Sequence, residues 1–207
     1  MKPVRLSLIK APVKPIWRLL DGRFGFAQSA RVIRSTRALT VCGMMVALSI
    51  VLGRMLVIPL SQDLRVSFAY LPIAMSGMLF GPMAAVMCAV LADIIGANLF
   101  PSGPFFIGFT LSAALAGLVW GMAFYRLNIR FWHCLVAVMV VNFGVHVCLN
   151  SYWVMLLYGR AWTLRAAAAL LKNTVQSFAD VMLLMLMSLL PARFPKSLRA
   201  GIPYPER

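Results

Sequence analysis

Six long apolar runs, each closed by a polar or Pro/Gly-containing break, fill most of the chain between residues 36 and 190. They predict helices over about 36–59, 67–80, 83–98, 106–126, 132–158 and 164–190, with stops at Pro59, at Gly81-Pro82 and before Pro191. Crossing the hydrocarbon layer takes roughly 20 residues at about 1.5 Å each. The second and third runs are therefore expected to be short, which leaves room for a cavity open on one side. Polar residues inside the runs are few, and their spacing matters. The fifth run, VVNFGVHVCLNSYW at its centre, sets Asn142, His146 and Asn150 at i, i+4 and i+8, one stripe, with Trp153 on nearly the same face. In the sixth, LLKNTVQSFAD puts Lys172 and Gln176 on one face, and likewise Asn173, Gln176 and Asp180. The third carries Asp93 and then breaks at LADIIGANLFPSGPFFIGF, where Asn98 and a Pro-Ser-Gly-Pro loop interrupt the apolar sequence.

Composition turns this pattern into a class. The 207 residues are 62% hydrophobic and 12% charged, whereas soluble domains hold about 25% charged and 45–50% apolar residues. A water-soluble fold of this size cannot hide so much apolar surface, so the chain is expected to be an all-α integral membrane protein, a compact bundle of six transmembrane helices. The net charge of +15 raises the question of nucleic acid. Placement answers it: nine Lys/Arg precede residue 38 and four follow residue 192, outside the apolar block. Such flanks suit a cytoplasmic surface beside anionic lipid, and no nucleic-acid partner is expected. Residues 1–35 then read as a basic extension, partly disordered or lying on the inner leaflet, 36–190 as the membrane domain, and 191–207 as a basic tail. With both termini cytoplasmic, fifteen of the twenty basic residues fall inside. The other five are Arg54, Arg65, Arg160, Arg165 and Lys172. Snorkelling accounts for a residue such as Arg160; an anionic ligand taken from outside would account for the set.

The candidate chemistry is that of binding. Cys42, Cys88, Cys134 and Cys148 lie inside apolar runs with no C-x-x-C pair, so no metal site, disulfide framework or cofactor is expected. The N-terminus lacks the unbroken apolar core of a signal peptide. There is no Walker A motif and no acid–base set, which argues against an enzyme. Lys172 lies about two turns below the outer end of its helix and must face a cavity or a partner, Asp93 or Asp180. Asn142 and His146 suit interhelical hydrogen bonds; Asn150 and Trp153, higher up, suit a planar heterocycle. On the first run Gly43-x-x-x-Ala47, with Ala38 and Cys42 one turn below, permits close approach of another helix, inside the bundle or from a partner.

The run RVSFAYLPIAMSGMLFGPMAAVMCAVLADIIGANLFPSGPFFIGFTLSAALAGLVWG, residues 65–121, carries a recognisable pattern: Ser67 to Ala74, Gly77 to Pro82, Leu91 to Gly96 and Pro101 to Ser112. It resembles the folate-family substrate-binding (S) component of energy-coupling factor (ECF) transporters. LNSYW at 149–153 resembles that family's Leu-Asn-Thr-x-Trp, and Arg165, Lys172 and Asn173 fit its later basic positions. The resemblance covers roughly 36–190. It implies a six-helix membrane protein of the bacterial cell membrane, without ATPase activity, that captures a vitamin from outside. Such a protein docks on a transmembrane coupling subunit and two cytosolic ATPase subunits, and topples to release the vitamin. The family's docking motif is Ala-x-x-x-Ala; here Gly43-x-x-x-Ala47 stands in its place, with Ala38 beside it.

A folate fits the residues themselves. Its glutamate carries two carboxylates that need fixed cations, and Arg65, Arg165 and Lys172 are on the outer side. Its pterin offers a donor pair that Asp93 or Asn150 can accept, with Trp153 or Phe105 stacking. Residues 91–109, with Asp93, Asn98 and Phe105, are then expected to form the rim of an outward-facing pocket. Asp93 either contacts the pterin or braces Lys172. An S component for another vitamin or pterin, or a non-transport membrane scaffold, are the alternatives. The outer cations weigh against a neutral ligand, and the gathered Asn150, Trp153 and Lys172 weigh against a scaffold.

Overall fold

The computed structural model describes residues 26–55, 57–59, 65–101, 105–125, 131–159 and 162–188. In chain order the elements are α1 (Phe26–Ile33), α2 (Thr36–Arg54), strands β1 (Val57–Pro59) and β2 (Arg65–Ser67), α3 (Tyr70–Phe80), α4 (Pro82–Leu99) and α5 (Ile107–Phe124). Then α6 runs as three consecutive pieces, α-helical at Phe131–Met139, π-helical at Val140–Leu149 and α-helical again at Asn150–Tyr158. The last element is α7 (Trp162–Ser188). Among the described residues five helices are long and apolar enough to cross a bilayer, and α3 is a shorter apolar helix beside them. The expected six membrane helices are therefore present.

Three expectations change. The first helix does not continue to Pro59: it ends at Arg54, and β1 pairs antiparallel with β2, Pro59 opposite Arg65. β-branched Val57 and Ile58 favour the extended form, and Pro59, without an N–H, suits a strand end. The membrane bundle thus carries a small two-stranded hairpin at one end. Second, only α3 is short: its 11 residues reach about 16 Å, whereas the 18 of α4 reach about 27 Å, a nearly full crossing. Third, part of the basic extension is an ordered element. In α1, Ser29 is fully buried, and Ile33 joins a cluster with Ala38, Cys42, Phe80, Ala84 and, from the end of α7, Met187. Both ends of the described chain therefore meet at one end of the bundle, as an even number of crossings requires. Residues 1–25 and 189–207 of the two basic flanks lie outside the described residues.

Small residues set the packing, as they must where lipid provides no hydrophobic drive between helices. A Cβ on Gly121 of α5 would lie 2.3 Å from Pro82 Cα, and one on Gly117 2.7 Å from the Ala85 carbonyl oxygen. On α3, a Cβ at Gly77 would come within 3.0 Å of Gly121 Cα. Helices α3, α4 and α5 are thus joined almost backbone to backbone. The α3–α4 corner is Gly81, with φ +92°, a conformation that L side chains rarely adopt. Around this junction Ala74, Trp120, Phe124, Cys134, Val138, Val141, Val181 and Leu184 form the central core. Cys42, Cys88 and Cys134 are buried in the packing as expected, while Cys148 is exposed on α6.

Candidate functional site

The polar stripes of α6 and α7 meet. The Asn142 amide donates to Ser177 Oγ at 3.0 Å and to Asp180 Oδ2 at 3.1 Å. In return the Asn173 amide donates to the Asn142 carbonyl at 3.1 Å, and Ser177 Oγ donates to the Asn173 carbonyl at 2.6 Å. Asn142 lies in the π-helical piece of α6, and such wide turns recur at functional sites. This clamp closes one wall of a cavity of about 380 Å³, lined from β2, α3, α5, α6 and α7. Ser67, Ala69 and Tyr70 line it at the hairpin end, while Trp120, Asn142 and Asp180 line its deep part. The Tyr70 and Trp120 rings are 5.9 Å apart, and Trp120 stacks on Phe124 at 5.9 Å and 5°, giving the apolar side a flat aromatic face.

The polar side is unfinished. Tyr70 Oη, Asn150 Oδ1, Ser151 Oγ, Gln176 Oε1 and Asp180 Oδ1 are buried without a hydrogen-bond partner, and all five residues line the cavity. Each such atom costs roughly 1–3 kcal/mol when left unmet, and folded proteins carry few of them. Three of the five are pure acceptors, so the wall is built to receive donors. Lys172 also lines the cavity, within electrostatic reach of Asp180 and His146. The Asn150 amide donates to His146 Nδ1 at 3.1 Å, which leaves the Asn150 carbonyl oxygen for a ligand. One wall thus offers acceptors at depth, and a cation lies nearer the hairpin end.

An aromatic cluster stands at that same end. Trp153 donates through Nε1 to Ser112 Oγ at 3.0 Å, and the Phe106 ring lies 5.6 Å from it. Gly108 makes this possible, since a Cβ there would lie 2.4 Å from the Phe106 ring and 2.7 Å from the Trp153 ring.

Of the residues singled out in the sequence, Asn150, Lys172 and Asn173 line the cavity. Trp153 and Asn98 lie outside its lining, Trp153 held by Ser112 and Asn98 donating to the Ile94 carbonyl of its own helix. Asp93, also outside the lining, accepts from Thr110 Oγ1 at 2.7 Å and so ties α4 to α5. Phe105 is 53% exposed, and its neighbour Phe106 makes the contact with Trp153. Arg65 stands in β2 two residues before Ser67, and Arg165 in the first turn of α7; their side chains lie outside the described residues, as does Arg160. On α2, Gly43 and Ala47 line an apolar groove with Leu91 and Ile95 of α4. Ala38, grouped with them in the sequence, is 3% exposed and packs inside the bundle. Among the residues that line the cavity, sequence reasoning missed Tyr70 and took Asp180 only as a partner for Lys172. The pattern that reveals Asp180 is Lys172, Gln176, Asp180 at i, i+4 and i+8, the counterpart of the stripe on α6.

Residues 37–202 match the family described as "ECF transporter, substrate-specific component". The chain belongs to this family. As an S component it is similar to the folate transporter FolT of Clostridium novyi (strain NT), 34% identical over 131 residues, 63% of this chain and 76% of that one. It is similar also to the folate transporter FolT of Leuconostoc mesenteroides subsp. mesenteroides, 32% identical over 127 residues, 61% of this chain and 68% of the relative. Among solved structures it resembles one described as the crystal structure of FolT bound with folic acid, at 27% identity and a TM-score of 0.69. That likeness covers 78% of this chain and 96% of FolT. This S component is thus a membrane-embedded transporter subunit, and the resemblance read from residues 65–121 is borne out.

Proposed function

We propose that this S component captures folate from outside the cell and hands it to an ATP-driven ECF module. The observation that carries the reading is the cavity: about 380 Å³, within the usual range for small-molecule sites, with an aromatic face, unmet acceptors and a lysine on its wall. A folate has the complementary parts, a flat donor-bearing ring at one end and two carboxylates at the other. Likeness to a FolT with folic acid bound supports the same ligand. In this reading Lys172, with Arg65 and Arg165, holds the glutamate, Asn150 and Asn173 contribute hydrogen bonds, and Trp153, Phe105 and Phe106 cover the mouth. Asp93 and Asn98 support that rim from α4. An S component has no motor of its own, so a transmembrane coupling subunit and two cytosolic ATPase subunits drive release, in the plasma membrane of a bacterium. Gly43 and Ala47 are the docking residues: the groove they line is apolar, and nothing stands within 4 Å of a Cβ built on Gly43.

The test is purification of the chain from a host grown in rich medium, followed by the absorption spectrum of what travels with it. A pterin-like band near one equivalent per chain is expected. Folded protein that carries a different chromophore at that stoichiometry would overturn the reading.

A further inference from the structure

The thiols of Cys42 and Cys88 face one another in the seam between α2 and α4. Each is the seventh residue of its helix, about 9 Å along the axis from the N-terminal end. The two helices run parallel. Ala38 and Ala84 share one cluster near their N-terminal ends, and at the other end the Arg54 guanidinium of α2 donates to the Phe100 carbonyl, just past α4, at 3.3 Å. The cysteines are thereby held at one level. The Cys88 thiol donates to the Cys42 carbonyl at 3.8 Å, and the Cys42 thiol lies within hydrogen-bonding reach of the Cys88 sulfur. Cys42 also lines the apolar groove with Gly43, Ala47 and Leu91, and Cys88 is buried behind it. The ligand cavity is lined from β2, α3, α5, α6 and α7, so the seam lies apart from it. Cys134 belongs to the central core and Cys148 is exposed on α6; neither shares the seam.

We propose that Cys42 and Cys88 are an oxidisable pair: a small uncharged peroxide joins them in a disulfide that ties α2 to α4 beneath the groove and blocks docking while ligand capture continues. The effect on docking rests on the reading of Gly43 and Ala47 as docking residues; the disulfide itself does not. Burial selects the oxidant. With Cys42 1% and Cys88 0% exposed, charged reagents in water do not reach the sulfurs, whereas a small molecule that dissolves in the membrane enters by the groove. Cys42 therefore reacts first. Its sulfur bonds to one peroxide oxygen, the O–O bond breaks, and the thiol proton leaves with the other oxygen as water. The Cys88 sulfur then attacks the sulfenic sulfur. An S–S bond replaces the S–O bond, and the hydroxyl leaves with the Cys88 proton as a second water. Both sulfurs are oxidised and the peroxide is reduced. A bond in place of a thiol contact fixes the two walls of the groove against each other, so α2 can no longer yield to a helix that packs closely on Gly43 and Ala47.

The experiment treats liposomes holding the full chain and its ECF module with hydrogen peroxide. Thiols are counted after denaturation, disulfides are mapped in unreduced peptides, and folic acid binding and uptake are measured on the same sample. Two of the four thiols should disappear, in a single peptide pair that joins Cys42 to Cys88. Uptake should fall about tenfold or more and return with dithiothreitol, while folic acid affinity stays within about threefold, because seam and cavity are separate. Cys88→Ser keeps a donor for the Cys42 carbonyl and removes the bond, so its uptake should match the untreated wild type and resist peroxide. Should that variant fail to fold, Cys88→Ala serves the same purpose. A disulfide that does not form, or one between other cysteines, overturns the pair. A Cys42–Cys88 disulfide that leaves uptake unchanged, or an equal loss of uptake in Cys88→Ser, overturns the lock. An untreated chain that neither binds folic acid nor takes it up defeats the folate reading instead, and the thiol count still decides whether the pair exists.

Discussion

Gly121→Ala adds a single methyl group at the point where α5 meets α4. Its Cβ would lie 2.3 Å from Pro82 Cα, 2.9 Å from Pro82 Cβ and 3.0 Å from Pro82 N. None of these atoms is the end of a flexible side chain, and Pro82 is fixed by the left-handed Gly81 before it, itself packed against Ser29 and Tyr125. The helices must separate by roughly 1 Å, which also opens the contact with Gly77 on α3. Overpacking of a rigid core costs about 1–3 kcal/mol, and the upper end applies because the obstruction is backbone. Against this stands a gain of about 1 kcal/mol from replacing Gly by Ala in a helix, so a net loss of about 2 kcal/mol is expected. For a chain of this size that lowers Tm by roughly 4–8 °C. Gly43→Ala supplies the control, with the same propensity gain and nothing within 4 Å of the new methyl; it should be neutral or slightly stabilising. The assay is thermal unfolding in one detergent, followed by fluorescence-detected size exclusion. Equal Tm values for the two variants would refute the close-packed α3–α4–α5 junction.

Other outcomes follow from the site. Lys172→Ala should weaken folic acid binding about 10–100-fold, the worth of a hydrogen bond to a charged group, and weaken a ligand lacking the glutamate less than about threefold; titration of both ligands checks this. Asp93→Asn keeps a partner for Thr110, so folic acid affinity should stay within about threefold of wild type and stability within about 1 kcal/mol, measured by titration and thermal unfolding. Trp153→Phe loses the bond to Ser112 and should raise the off-rate of bound folic acid several-fold, read by stopped-flow fluorescence; an unchanged off-rate removes Trp153 from the mouth. Ala47→Phe fills the apolar groove between α2 and α4, so folic acid should still bind to the purified variant while uptake into cells supplied with the ECF module falls to background.

The sequence carried the membrane class and the six helices because both rest on long-range composition and on breaks such as Gly81-Pro82. The stripes on α6 and α7 were legible too, since a spacing of i, i+4 survives even where α6 widens into a π-helix between Val140 and Leu149. Two features were hidden by continuous apolarity. The turn out of α2 into β1 passes through Val57 and Ile58, which read as more helix, and Tyr70 opens α3 in a stretch whose other residues are apolar or small. Asp93 was legible only in part: a carboxylate in an apolar run signals a buried partner without naming it, and the fold supplies the Thr110 hydroxyl seventeen residues on. Asp180 could be paired with Lys172 from spacing, but only the fold shows that the Asn142 amide, from another helix, donates to one of its oxygens.

The most direct test of the account is equilibrium titration of the purified, folded chain with folic acid in competition with an uncharged vitamin of similar size. Saturable binding of one folic acid per chain at submicromolar concentration, undisturbed by the uncharged competitor, is expected. A folded chain that ignores folic acid at micromolar concentration while binding the uncharged vitamin would contradict it.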